Sequence, residues 1–187
     1  MINKAWLFVT KLFHWMKTDD GILVILIPGF PESANDSTCL PIQQTFILSL
    51  KKLYPQLDII VLSFQYPYHT KSYSWFDIPV IPFSGRNKGG IKKLLVRKRI
   101  KTVLKEIHRA KKITGILSFW CTECALVGKR FADKYGIKHL CWICGQDARK
   151  INHYIKKINP VPAELIALSD FLQNKFETNH SIKPLHI

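Results

Sequence analysis

Acidic residues are scarce in this chain. Against 28 Lys and Arg stand 13 Asp and Glu in 187 residues, a formal net charge of +15. Such a surface attracts phosphates, of nucleic acid or of anionic lipid headgroups, and charge alone does not choose between them. Also missing is any uninterrupted apolar run of the roughly 18 residues that a membrane-spanning helix needs. The opening MINKAWLFVTKLFHWM has its apolar run broken by Lys11 and is followed by no small-residue cleavage site, which argues against a secretory signal peptide. There is no internal repeat and no low-complexity tract. Cysteine is present five times, an odd count. Without a secretory signal, that reads as reduced thiols in a cytoplasmic protein, one that rests peripherally on the inner face of a membrane. With 47% hydrophobic residues, the chain is far from the composition of disorder and long enough for one domain, without room for a second catalytic one.

The apolar residues alternate between short β-branched runs and longer amphipathic stretches, the pattern of parallel βαβ units. Residues 22–27 (ILVILI), ending in Pro28-Gly29, predict a strand buried on both faces. Further strands are expected at 59–64, 115–120, 139–143 and 165–168, with one more beginning in the last residues, IKPLHI. Residues 78–83 (IPVIPF) carry two prolines that cannot donate ladder hydrogen bonds, which suits a strand at the sheet edge. Helices are expected at 41–53, capped by Asp36, Ser37 or Thr38, at 91–111, and at 124–135, stopped by Gly136 in a left-handed cap. Ser169 and Asp170 cap a final short helix. The fold class predicted is α/β: a doubly wound, mostly parallel open sheet spanning residues 21–187, after an N-terminal extension of residues 1–20.

In such sheets ligands lie beyond the carboxyl ends of the strands. Three loops stand there. The first holds Gly29, Phe30 and Glu32, where a glycine can bring backbone close to a ligand; the second holds Trp120 and Glu123; the third holds Gly145, Gln146, Asp147 and Arg149. The competing readings are an ordinary strand-to-helix turn, a packed tryptophan and a surface Asp-Arg pair.

Together the PGFPES loop, the TCLPIQQTFILSLKKLYP helix, the SFWCTECALVGKRFADKYGIKHL unit, the CGQDARK loop and ELIALSDFLQNKF resemble the amino-terminal domain of family 4 glycosyltransferases of the GT-B fold. The resemblance covers about residues 22–187. It implies the Rossmann-like, acceptor-binding half of a retaining enzyme that moves a sugar from a nucleotide-sugar donor to a glycan or lipid-linked acceptor. It implies no metal and no cofactor, and the donor would be held by a carboxy-terminal domain outside this chain. Cys144 stands where the family often has histidine, so no role needing an imidazole carries over. No catalytic residue is assigned; the nine loop residues above are the substrate-binding candidates.

A second class of function competes, a non-catalytic binding module. Cys121-x-x-Cys124 and Cys141-x-x-Cys144, sixteen residues apart, match a four-cysteine zinc staple in spacing. Against this, residues three apart on a strand point to opposite faces, so Cys141 and Cys144 would not converge. The stretch 86–112 holds twelve of the 28 cations and one acid, Glu106. Its apolar residues Ile91, Leu94, Leu95, Ile100, Val103, Leu104 and Ile107 recur at helical spacing. One stripe is therefore expected on the sheet, while Lys92, Lys93, Arg97, Lys98 and Arg99 face outward, either as a solvated helix face or against an anionic membrane. The first twenty residues are expected to form a further amphipathic helix, either lying in a membrane interface with Trp6 and Trp15 at headgroup level or packing against the fold or the missing domain. Nucleic acid ranks last as a partner, because no recognisable module accompanies the charge.

Overall fold

The computed structural model describes residues 21–186; the N-terminal extension and the amphipathic helix expected there, Trp6 included, lie outside them. The described residues form eight strands and five α-helices, an α/β arrangement of mostly parallel strands in an open, Rossmann-like sheet. They fall into two compact units, one ending at Ile113 and the other starting at Thr114.

In the first unit β1 (Ile22–Gly29), β2 (Asp58–Tyr66), β3 (Tyr73–Trp75) and β4 (Ile78–Pro82) lie in the order β3-β4-β2-β1. Residues 22–27 of β1 are all buried, as the continuous apolar run requires. β1 runs parallel to β2 with Ile22 opposite Asp58 and Ile25 opposite Val61, and β2 runs parallel to β4. The proline-bearing strand is not the edge. Tyr73–Trp75 pairs antiparallel on its free side, placing Ser74 opposite Pro79. Three residues with no periodicity to read give no sequence signal, and it is the turn at Phe76 and Asp77, both left-handed (φ 46° and 61°), that folds them back.

Helix α1 (Pro41–Leu53) buries Ile47 and Leu50. None of the expected side-chain caps serves it: Leu40 occupies the N-cap position with no side-chain bond. Asp36 instead accepts the N–H groups of Thr38 and Cys39 at 3.1 and 3.2 Å, closing the loop before the helix. Helix α2 (Gly90–Ala110) departs from its expected stripe. Only Ile100 and Leu104 are buried, with Val103 and Ile107 half-buried, while Ile91, Leu94 and Leu95 are 76%, 60% and 54% exposed. Helical period identifies a face, but how much of that face is covered depends on where the packing partner ends.

In the second unit β5 (Ile113–Phe119), β6 (Lys138–Trp142), β7 (Leu165–Ala167) and β8 (Leu185–His186) follow one another in parallel. Helices α3 (Glu123–Tyr135), α4 (Tyr154–Ile158) and α5 (Asp170–His180) connect them. One core joins them: Ala125 and Leu126 of α3, Cys141 of β6, Ile155 and Ile158 of α4, Leu165 of β7 and Phe176 of α5. Gly136 ends α3 in a left-handed cap at φ 63°, and Ser169 accepts the Leu172 N–H at 3.2 Å, both as the sequence predicts. Lys129 of α3 bridges Asp133 and Glu164 at 2.5 and 2.9 Å, tying that helix to the 3-10 turn Pro162–Glu164.

Candidate functional site

The sequence-derived candidates divide between the units. In the first, Gly29 has no conformational need to be glycine: a Cβ there would lie at ordinary contact distance, 3.6 Å from the Tyr66 Cβ and 3.8 Å from the Cys39 sulfur. Phe30 is wholly buried, its ring edge-on to Trp75 at 4.9 Å. It is a core residue and presents nothing to a ligand, a correction to its candidate role. Glu32 is exposed. Around this loop, Asp36 is held below the usual carboxylate range: slight desolvation is outweighed by bonds from the Thr38 hydroxyl and the N–H groups of Cys39, Thr38 and Glu32. Burial, and then the negative charges of Asp36 and Glu32, push the Cys39 thiol up to about 11, so it is no nucleophile.

The same unit contains a loop that the sequence showed only as part of a basic run. Ser84, Arg86 and Asn87 are all left-handed, at φ 52°, 53° and 53°. Between them Gly85 donates to the Phe64 carbonyl at 2.9 Å, and a Cβ there would lie 2.7 Å from that same oxygen and closer still to the Gln65 amide. Only glycine fits. Asn87 donates its N–H to Gln65 Oε1 at 2.9 Å, and Arg86 donates to the Tyr68 carbonyl at 3.0 Å with its guanidinium 5.2 Å from the Tyr68 ring centre. The dipeptide Ser84-Gly85 was the available signal for a turn. The arrest of Arg86 over a tyrosine had none, because the two residues are eighteen apart.

In the second unit the geometry is more specific. Trp120 follows β5 with φ 67°, a conformation that costs a bulky residue energy and concentrates at functional positions. Its N–H donates to the Trp142 carbonyl at 3.0 Å. Glu123, nearly buried, opens α3, where the helix dipole favours an acid. Gly145, Gln146 and Arg149 are exposed. Asp147 is not: it is wholly buried, which excludes both a surface Asp-Arg pair and direct contact with a sugar. Its Oδ2 accepts the Cys144 N–H at 2.7 Å. Asn152, donating to the carbonyls of both Cys121 and Asp147, ties this loop to the end of the adjacent parallel strand. The Asp147 Oδ1 is buried without a hydrogen-bond partner, and burial, opposed by the nearby N–H groups of Cys144 and Cys121, pushes the carboxyl up to about 6.

The four cysteines around this aspartate are free thiols: Cys121, Cys124 and Cys141 are buried and Cys144 is half-buried. Burial first, with nearby negative charge second, raises Cys124 well above the ordinary thiol value and Cys144 to about 12. Among the described residues no three His, Cys, Asp or Glu side chains are placed to hold a metal ion, so the spacing that matched a zinc staple does not become one. Cys141 faces the core while Cys144 sits in the loop beyond the strand.

One buried pair escaped sequence reasoning. His139 Nε2 lies 2.9 Å from the Ser118 hydroxyl, His139 Nδ1 has no partner, and burial, then the nearby Lys129 ammonium, holds the imidazole down to about 3. It is neutral throughout the physiological range. No helix among the described residues is long and apolar enough to cross a membrane. No protein-family model matches the chain, and no curated protein matches it either.

Proposed function

We propose that the chain is the acceptor-binding half of a retaining glycosyltransferase, serving transfer from a nucleotide-sugar donor to a glycan or lipid-linked acceptor. The observation that carries this reading is Trp120, a half-buried indole at the carboxyl end of β5, in a strained backbone conformation. An indole offers a flat apolar face to the C–H side of a sugar ring and an N–H as polar handle. Asn152 ties the neighbouring loop to Trp120's own through the carbonyls of Asp147 and Cys121, and that loop carries Gln146 and Arg149, exposed groups able to bond acceptor hydroxyls. The mostly parallel α/β fold and the order of the motifs agree with the same reading. On it, catalysis requires a donor held by a second domain in near-attack geometry, so the purified chain alone turns over no nucleotide sugar.

The test is saturation-transfer NMR of the purified chain with a panel of oligosaccharides and short-chain lipid-linked glycans. Transfer to at least one acceptor, lost in Trp120→Ala, supports the reading. A panel without any transfer, or equal binding by Trp120→Ala, overturns it.

A second reading, a peripheral membrane module, is favoured by one specific observation: the exposed Ile91, Leu94 and Leu95 stand at i, i+3 and i+4 of α2 among Lys92, Lys93, Arg97, Lys98 and Arg99. Apolar insertion and charge attraction are the two weak signals that peripheral attachment combines. The two readings are compatible, since a lipid-linked acceptor presents its sugar at such a surface.

A further inference from the structure

Behind the Asp147 loop, the segment 150–156 and the C-terminal end of α5 enclose a pocket of about 460 Å³. That volume suits a small organic ligand. None of Trp120, Gln146 and Arg149 lines it, so it is separate from the proposed acceptor surface and its assignment does not rest on the transferase reading.

The pocket is built before anything enters it. Asn152 donates to the carbonyls of Cys121 and Asp147, both at 3.1 Å, and its own Oδ1 accepts the Tyr154 N–H at 3.1 Å. From the other wall Asn179 donates to the Ala148 carbonyl at 2.6 Å. His180 Nε2 lies 3.3 Å from the Asp147 carbonyl oxygen. A carbonyl can only accept, so Nε2 carries the hydrogen.

The lining has one sign of charge. Its titratable side chains are Lys150, Lys156, His153 and His180, with no Asp or Glu among them. The end of α5 brings a partial negative charge of about one half, which two full ammonium charges exceed. Ile155 and Ile151 supply an apolar wall beside the cations. We infer that this pocket binds a small phosphorylated organic molecule, its phosphate between Lys150 and Lys156 and its carbon skeleton against the two isoleucines. Free inorganic phosphate shares the charged half of that recognition and not the apolar half.

The experiment is amide-resolved NMR titration of the full chain with inorganic phosphate, glucose 1-phosphate, glucose and sodium chloride at matched ionic strength. The expected result is saturable shifts at residues 150–156 and 179–181 with both phosphates, tighter for the sugar phosphate, and none with glucose or chloride. In Lys150→Ala/Lys156→Ala, whose side chains are exposed and carry no core packing, phosphate affinity falls by roughly tenfold or more, the loss of two charge-assisted bonds. Shifts reproduced by chloride, an unchanged affinity in the double variant, or no saturable shift overturns the site. Equal affinity for the two phosphates overturns its organic half.

Discussion

The backbone N–H of Cys144 donates to the Asp147 carboxylate at 2.7 Å, across a turn closed again by the Asp147 N–H on the Cys144 carbonyl at 2.9 Å. This reciprocal pair makes Asp147 a positioning residue: it sets the loop bearing Gln146 and Arg149 while itself wholly out of solvent.

Its burial gives stability a pH dependence. The carboxyl titrates at about 6 in the fold against 3.8 as its ordinary value, so the unfolded chain gives up the proton more readily. The contribution of this one group is full below about pH 4 and is lost as pH rises through 6. Asp147→Asn removes that loss, so the variant gains on the wild type across this window by the order of 3 kcal/mol. His139 works in the other direction. Its imidazole titrates at about 3 against 6.5, so the unfolded chain takes up the proton first, and stability present above pH 6.5 is lost as pH falls toward 3. Urea midpoints from pH 4 to 8 for wild type, Asp147→Asn and His139→Gln check both, and parallel curves would refute them.

Two glycines should behave oppositely. At Gly85 an added Cβ meets the Phe64 carbonyl at 2.7 Å, whereas at Gly29 it meets side-chain carbon and sulfur at 3.6 Å or beyond. Gly85→Ala is expected to cost about 1–3 kcal/mol through overpacking, and Gly29→Ala less than about 0.5 kcal/mol. Thermal midpoints in the same buffer decide this.

Trp120 allows strain to be separated from recognition. At φ 67° a glycine is relieved of the penalty that alanine keeps, so Trp120→Gly should be more stable than Trp120→Ala by about 1 kcal/mol. Both lose the indole, so both should lose acceptor binding alike. A glycine variant that is less stable than the alanine one would mean that the left-handed conformation is not kept.

The exposed start of α2 predicts co-sedimentation with vesicles containing anionic lipid and not with neutral ones. Ile91→Ser/Leu94→Ser/Leu95→Ser should weaken it, since these side chains are already largely in solvent and their replacement leaves the fold intact. Salt near 1 M, where the Debye length is about 3 Å, should remove the contribution of charge and leave that of insertion. Deleting residues 1–18 should weaken binding again, and binding that ignores all three changes would assign attachment elsewhere.

Along the chain, what repeats locally was legible. The apolar run of β1, the period of α1 and α3, the glycine that closes α3 and the serine that opens α5 each depend on a few neighbouring residues, so sequence by itself determined them. Which residues would face a ligand was decided only in three dimensions. Phe30 and Asp147 occupy loops at strand ends, where candidates for binding belong, yet both are buried among partners that no spacing announces: Trp75 lies 45 positions from Phe30, and Asn152 joins the Asp147 carbonyl to that of Cys121, 26 positions before it. Likewise the four cysteines have zinc spacing but not zinc geometry, and the stripe of α2 is apolar for its whole length but covered only from its middle onward. The period of a pattern names a face; burial of that face depends on the chain packed against it, and those contacts lie far away in sequence.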